Sequence, residues 1–170
     1  MKTKLKSNIM KKLLFLFAIL LIGFSTMAQN VAVNTSKSEL KWTGKKVTGE
    51  HWGYISLKSA TLIIENDMIS SGDFNIDMES MNCKDLEDAE WNGKLIGHLK
   101  SDDFFSVEKF PIATLTITES ALFTDGVAEV KGNLTIKGIT HPTSFKVKKA
   151  DTGFMAIISV DRTKYNVKYG

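Results

Sequence analysis

The constraint that dominates this chain is a period-two alternation of apolar and polar residues through most of its length. Ala113, Leu115 and Ile117 alternate with Thr114, Thr116 and Thr118; Val130, Leu134 and Ile136 alternate with Lys131, Asn133, Thr135 and Lys137; Phe145 and Val147 alternate with Lys146 and Lys148. Successive side chains of a strand point to opposite faces, so this pattern predicts antiparallel strands buried on one face only. Turn-forming groups separate the runs: Glu65-Asn66-Asp67, Thr124-Asp125-Gly126, Lys137-Gly138 and Asp151-Thr152-Gly153. Strands are predicted over 38–48, 52–57, 59–65, 68–78, 112–119, 127–136, 140–149 and 153–161, with a further extended piece over 163–168. The two prolines, Pro111 and Pro142, stand at or near strand entries, where a missing N–H is tolerated. Many short strands between turns mean a barrel or a sandwich.

One stretch departs from this period. Between Asp85 and Phe110, Trp91, Leu95 and Leu99 recur at helical spacing with His98 beside them. Asp85, Glu87, Asp88 and Glu90 suit the positive end of a helix dipole. Ser101, Asp102 and Asp103 then read as the cap of a second short turn carrying Phe104 and Phe105. The apolar face of such a helix has only the sheet to pack on, and a lid or plug across a barrel is expected. Leu62–Ile64 and Phe154–Ile158 are apolar on both faces. Either the helix covers one face while the other lines the interior, or these are central strands of a packed sandwich. An eight-stranded barrel is just wide enough to be filled by side chains or to hold one small molecule.

The chain has 170 residues, with 22 basic and 19 acidic side chains. The first 28 residues contain Lys2, Lys4, Lys6, Lys11 and Lys12 and no acid; without them 17 basic and 19 acidic residues remain, a net charge of −2. A slightly acidic body gives no electrostatic footprint for nucleic acid. The same 28 residues read as a secretory signal: a basic start, an apolar run from Leu13 to Phe24, and small residues before a cleavage point between Ala28 and Gln29. The apolar run falls short of the roughly 20 residues of a membrane span. A periplasmic or secreted protein without a stable membrane anchor is expected, with one domain over 29–170. Cys83, the single cysteine, has no partner for an internal disulfide.

Familiar catalytic signatures are missing, including G-x-S-x-G, H-E-x-x-H, Walker A and G-x-G-x-x-G. His51, His98 and His141 lie 47 and 43 residues apart, so a metal site would need all three to converge in space with a carboxylate. Nothing near Cys83 except one lysine would depress its pKa, and Asp73, Asp77 and Glu79 suit a solvated strand face. No catalytic residue, metal or cofactor is therefore assigned. The aromatics Trp42, Trp52, Tyr54, Phe74, Phe104, Phe105, Phe110, Phe145 and Phe154 belong first to a core. As a set, with Leu95, Leu99 and Leu115, they could also line an apolar cavity.

Four stretches together resemble the YceI-like family of exported, lipocalin-like lipid-binding proteins. The most specific runs from Lys94 to Pro111, KLIGHLKSDDFFSVEKFP, against a family pattern G-H-L-x-S-x-x-F-F ending in proline. His51–Leu57 (HWGYISL), Gly72–Ser80 (GDFNIDMES) and Gly132–Pro142 (GNLTIKGITHP) match further patterns in order, and Asp161-Arg162 stands at the family's D-R pair. The resemblance implies an all-β fold, an extended antiparallel barrel of about eight strands with a short helical insertion near 85–108. It also implies a long isoprenoid-like amphiphile, an isoprenoid quinone or polyprenyl lipid, in an apolar channel, for carriage, storage or stress protection, and no catalysis. His98, Lys100 and Asp102 adjoin the insertion and are the candidates for meeting a ligand head group. The chain stops at Lys168-Tyr169-Gly170, where family members continue into a last strand. A barrel lacking it would expose an edge and invite pairing into a homodimer. The competing expectation is a stress-related holdase that uses exposed apolar surface and has no dedicated lipid.

Overall fold

The computed structural model describes residues 29–46, 49–120 and 122–167. The expected signal segment 1–28 and the terminal Lys168–Gly170 lie outside the described residues. Eight strands form one antiparallel sheet: β1 (Gln29–Val31), β2 (Leu40–Lys46), β3 (Gly49–Glu65), β4 (Met68–Asp77), β5 (Ile112–Ser120), β6 (Val127–Ile136), β7 (Ile139–Ala150) and β8 (Gly153–Ala156). The order is β1-β3-β4-β5-β6-β7-β8, and β2 pairs with the first half of β3. The sheet curls into a half-barrel with one α-helix, α1 (Ala89–Lys100). Among the described residues β8 pairs only with β7, so the curl stays open on that side.

The hairpins follow from local chemistry. Asn66 and Asp67 at the β3–β4 turn (φ 49° and 60°), Asp125 and Gly126 at the β5–β6 connection (51° and 76°), and Lys137 and Gly138 at the β6–β7 turn (53° and 73°) all have positive φ. That left-handed pair is what a tight hairpin needs to match the twist of its strands. Gly138 has a second reason to lack a side chain, because a Cβ there would sit 2.9 Å from the Phe110 ring.

Three expectations are corrected. The strands expected over 52–57 and 59–65 are one continuous strand, β3, with register shifts between Leu57 and Ser59 and between Ile63 and Ile64. A bulge leaves one residue unpaired without ending the strand. The strand expected over 153–161 ends at Ala156. The extended piece expected over 163–168 is a 3-10 turn, Arg162–Tyr165. Asp161 accepts from the Thr163 N–H (3.0 Å) and hydroxyl (2.7 Å), which turns the backbone and delivers Tyr165 and Val167 to the core.

The helix begins at Ala89, not Asp85, because the two aspartates are divided between tasks. Asp88 accepts from the Trp91 N–H (2.9 Å) as the N-cap, whereas Asp85 reaches across to β3. Trp91, expected on the packed face, is 60% exposed with Lys94 over its ring. The docked face is Leu95, Ile96 and Leu99. No helix among the described residues is long and apolar enough to cross a membrane.

Candidate functional site

Strand parity decides which side chains reach the inner face. In β5 and β6 these are Ala113, Leu115, Ile117, Ala128, Val130 and Leu134, and opposite them in β7 are Phe145 and Val147. With Leu62, Ile69, Tyr165 and Val167 most of them form one core cluster, against which Phe74, Phe104 and Phe105 pack half-buried. A second cluster gathers Met78, Met81, Leu99, Val107 and Ala113, with Trp42, Ile55 and Leu95 against it. Phe104, Phe105 and Ile136 touch both clusters. The loop after α1 is thus the wedge that joins the helix to the inner face.

That loop is fastened from the β6–β7 turn. The Lys137 ammonium donates to the carbonyls of Asp102 (3.1 Å), Phe104 (3.0 Å) and Asn166 (3.5 Å). It ties the helical insertion and the C-terminal turn to one hairpin. Arg162 lies 5.3 Å over the Phe104 ring, and its guanidinium donates to the Val167 carbonyl.

The residues expected to line a channel divide into groups. Leu115 and Phe145 are buried in the first cluster, and Leu95 and Leu99 belong to the second. Phe110 lies against the β6–β7 turn. Trp42 packs on the second cluster and donates its indole N–H to the Asn82 carbonyl (2.9 Å). Trp52 and Tyr54 alternate with Gly53 and Ile55, and since Ile55 faces the second cluster they take the other face of β3. Their rings meet edge-on at 5.9 Å under the Lys41 ammonium. Phe154 is 38% exposed at the open margin and stacks on Phe123.

The three head-group candidates each have a neighbour. His98 meets Phe104 edge-on at 5.6 Å. Lys100 donates to the Glu79 carbonyl at 2.6 Å. Asp102 pairs with Lys109 at 2.6 Å, which holds its carboxyl below the ordinary range. The three histidines do not converge: His51 binds Asp85, His98 sits on α1, and His141 meets Tyr165 on the inner side of β7. A metal site assembled from all three is therefore not formed.

The open margin supplies a feature that the residue list above lacks. Lys146, Lys148, Met155, Ala156 and Ile157 surround a depression of about 390 Å³ beside β8. Met155 and Ile157 are 61% and 84% exposed there. The doubly apolar run Phe154–Ile158 was its signal in the sequence. A second depression, about 250 Å³, lies between the segment 36–40 and Tyr54–Ser56.

With this geometry in hand, comparison with known proteins is direct. The model of the YceI-like domain matches residues 32–170. A UPF0312 protein of Pseudomonas aeruginosa is 43% identical over 56 residues, 33% of this chain and 29% of that protein. Protein YceI of Salmonella arizonae is 39% identical over a segment of the same length. These alignments span less than a third of the relatives' own length. Among solved structures, BcnA of Burkholderia cenocepacia superposes with a TM-score of 0.64 at 25% identity, covering 81% of this chain and 86% of that one. The YCEI protein of Campylobacter jejuni shares the fold, with a TM-score of 0.51 at 18% identity over 81% of this chain and 84% of that one. The domain match over nearly all the described residues and the shared sheet lead to one conclusion: the chain belongs to the YceI-like domain family.

Proposed function

We propose that this protein is an exported lipid-binding protein that holds an isoprenoid-like amphiphile, such as an isoprenoid quinone or polyprenyl lipid, without chemical change to it. The observation that carries the reading is the apolar margin at β8. Large side chains stand exposed around a depression of about 390 Å³, within the roughly 300–1,000 Å³ typical of small-molecule sites. Lys146, Lys148 and Met155 lie on the outer face of β7 and β8, opposite to Phe145 and Val147, so the depression meets the apolar inner face only around the open edge of β8. A tail that buried about 300 Å² of apolar surface there would gain about 7 kcal/mol before the cost of association. Deeper insertion requires α1 and the Phe104–Phe105 wedge to yield, because the inner face is otherwise occupied by its own side chains. Lys146 and Lys148 offer ammonium donors to a polar head group at the margin.

The test is quenching of tryptophan fluorescence by a long-chain isoprenoid quinone, with Trp42 as the half-buried reporter. Saturable quenching that is lost in Ile157→Asp and in Phe105→Asp supports the reading. Quenching unchanged in both folded variants overturns it. Exposed Leu122, Met155 and Ile157 favour a second reading, a holdase for unfolded chains. Protection of a client from aggregation by lipid-free protein, with no saturable quenching, would support that alternative.

A further inference from the structure

Away from the inner face, the segment after β4 runs back along the first half of β3. Asn82 N–H donates to the Tyr54 carbonyl (3.0 Å) and Lys84 N–H to the Trp52 carbonyl (2.9 Å), while Tyr54 N–H donates to the Asn82 side chain (3.2 Å). Asn92 on α1 donates to the carbonyls of Cys83 (3.2 Å) and Leu86 (2.8 Å). Gly53 lets the backbones touch, since a Cβ there would lie 1.9 Å from the Asn82 oxygen. This lacing brings His51 of β3 to Cys83 and Asp85 of the segment before α1, with 34 positions separating His51 from Asp85. His51 Nδ1 lies 2.8 Å from Asp85 Oδ2, and the Cys83 thiol donates to Asp85 Oδ1 at 3.3 Å. One nitrogen, one sulfur and one carboxylate oxygen lie within 4.8 Å of one another.

We propose that His51, Cys83 and Asp85 form a binding site for a borderline divalent cation of the zinc type. Imidazole, thiolate and carboxylate are the ligand types such a cation takes, at about 2.0–2.3 Å in tetrahedral array. Those lengths place neighbouring ligand atoms about 3.4–3.6 Å apart. The Cys83–Asp85 contact of 3.3 Å nearly meets this, the His51–Asp85 contact of 2.8 Å opens by about 0.6 Å, and all three ligand atoms already lie within 4.8 Å of one another. The lacing fixes the ligand backbone before any cation arrives, and the Trp52 N–H holds the carboxylate from behind at 2.7 Å. His51 and Asp85 remain 26% and 21% exposed, which leaves the fourth position to water. Asp85 is ionised and accepts from His51 Nδ1–H when no cation is bound. Binding therefore releases the Cys83 thiol proton and the His51 Nδ1 proton to solvent, and the neutral imidazole carries its one N–H on Nε2. No electron transfer is involved. The proposal is independent of the lipid reading.

Titration of the reduced full chain with cobalt(II) tests it. The expected result is one saturating equivalent, a near-ultraviolet thiolate-to-cobalt charge-transfer band, and displacement by zinc(II). Cys83→Ser abolishes the band. Asp85→Asn weakens binding at least as much as the roughly 10–100-fold lost with an outer partner of a ligand. Zinc(II) also slows alkylation of Cys83 in the unmodified chain, a readout that needs no variant. A chain that takes up no cobalt at one equivalent, or whose Cys83 alkylates at the same rate with and without zinc(II), overturns the proposal and leaves the triad a hydrogen-bonded latch.

Discussion

Gly53→Ala is the sharpest probe of how the helical insertion is held to the sheet. The added Cβ would lie 1.9 Å from the Asn82 carbonyl oxygen, 2.7 Å from its carbon and 2.9 Å from the Cys83 Cα. All three are backbone atoms, so no side chain can rotate away. To bring the oxygen beyond 3.0 Å the 82–85 segment must retreat by more than 1 Å. Five hydrogen bonds of 2.7–3.2 Å span that seam: Trp42 Nε1 to Asn82 O, Asn82 N to Tyr54 O, Tyr54 N to the Asn82 side chain, Lys84 N to Trp52 O, and Trp52 N to Asp85. A shift of that size carries most of them past hydrogen-bonding distance. Each is worth about 0.5–1.5 kcal/mol net, and alanine recovers about 0.5–1 kcal/mol by restraining the unfolded chain. The expected loss is about 2–4 kcal/mol. Gly44→Ala on the neighbouring strand is the control, since its Cβ meets nothing closer than 3.8 Å. Urea unfolding followed by tryptophan fluorescence gives both values. Equal stability of the two variants would refute the close-approach argument.

Further perturbations separate the remaining contacts. Lys137→Met removes the donor shared by Asp102, Phe104 and Asn166 and should cost about 1–3 kcal/mol; hydrogen exchange should rise at Phe105–Val107, whose N–H groups donate to the carbonyls of Leu99, Ser101 and Lys100 at the end of α1. Leu99→Ala removes the one buried side chain of α1 and should cost about 2–4 kcal/mol. Trp91→Ala, at a largely exposed position, should stay within about 0.5 kcal/mol in the same urea series. The Trp52 N–H, aided by His51 and Cys83 against a smaller desolvation effect, lowers the pKa of Asp85 to about 2. A folded-state pKa below the unfolded value means its stabilisation is complete above the ordinary carboxylate range and disappears as pH falls through about 2. The stability advantage of chelator-treated wild type over Asp85→Asn should therefore shrink on acidification from about pH 5 toward pH 2; an advantage that stays constant would contradict the assignment.

The sheet was legible wherever one face is buried and the other wet. Ala113–Thr118 and Val127–Ile136 alternate cleanly because β5 and β6 have the core on one side only. The hairpins were legible because positive φ restricts which residues can stand in them. Elsewhere a local signal was outweighed by contacts distant in sequence. The bulge at Lys58 looks like a strand end in one dimension and is a continuation in three. Trp52 and Tyr54 read as lining because large side chains usually face inward. In β3 it is Gly53 that faces the insertion, since the Asn82 backbone takes the space of its side chain. The turn at Arg162–Tyr165 has the hydrophobic spacing of a short strand, and the Asp161 side chain decides otherwise. The His51–Cys83–Asp85 cluster had no local spacing to reveal it, because β3 supplies one member and the loop before α1 the other two.

The central claim is that this YceI-like chain carries an isoprenoid-like amphiphile. Mass spectrometry of an organic extract from protein purified without detergent tests it most directly. The account predicts a stoichiometric isoprenoid quinone or polyprenyl species. A clean extract from protein that is folded by circular dichroism, and that stays clean after incubation with isoprenoid quinone and removal of the excess, would contradict it.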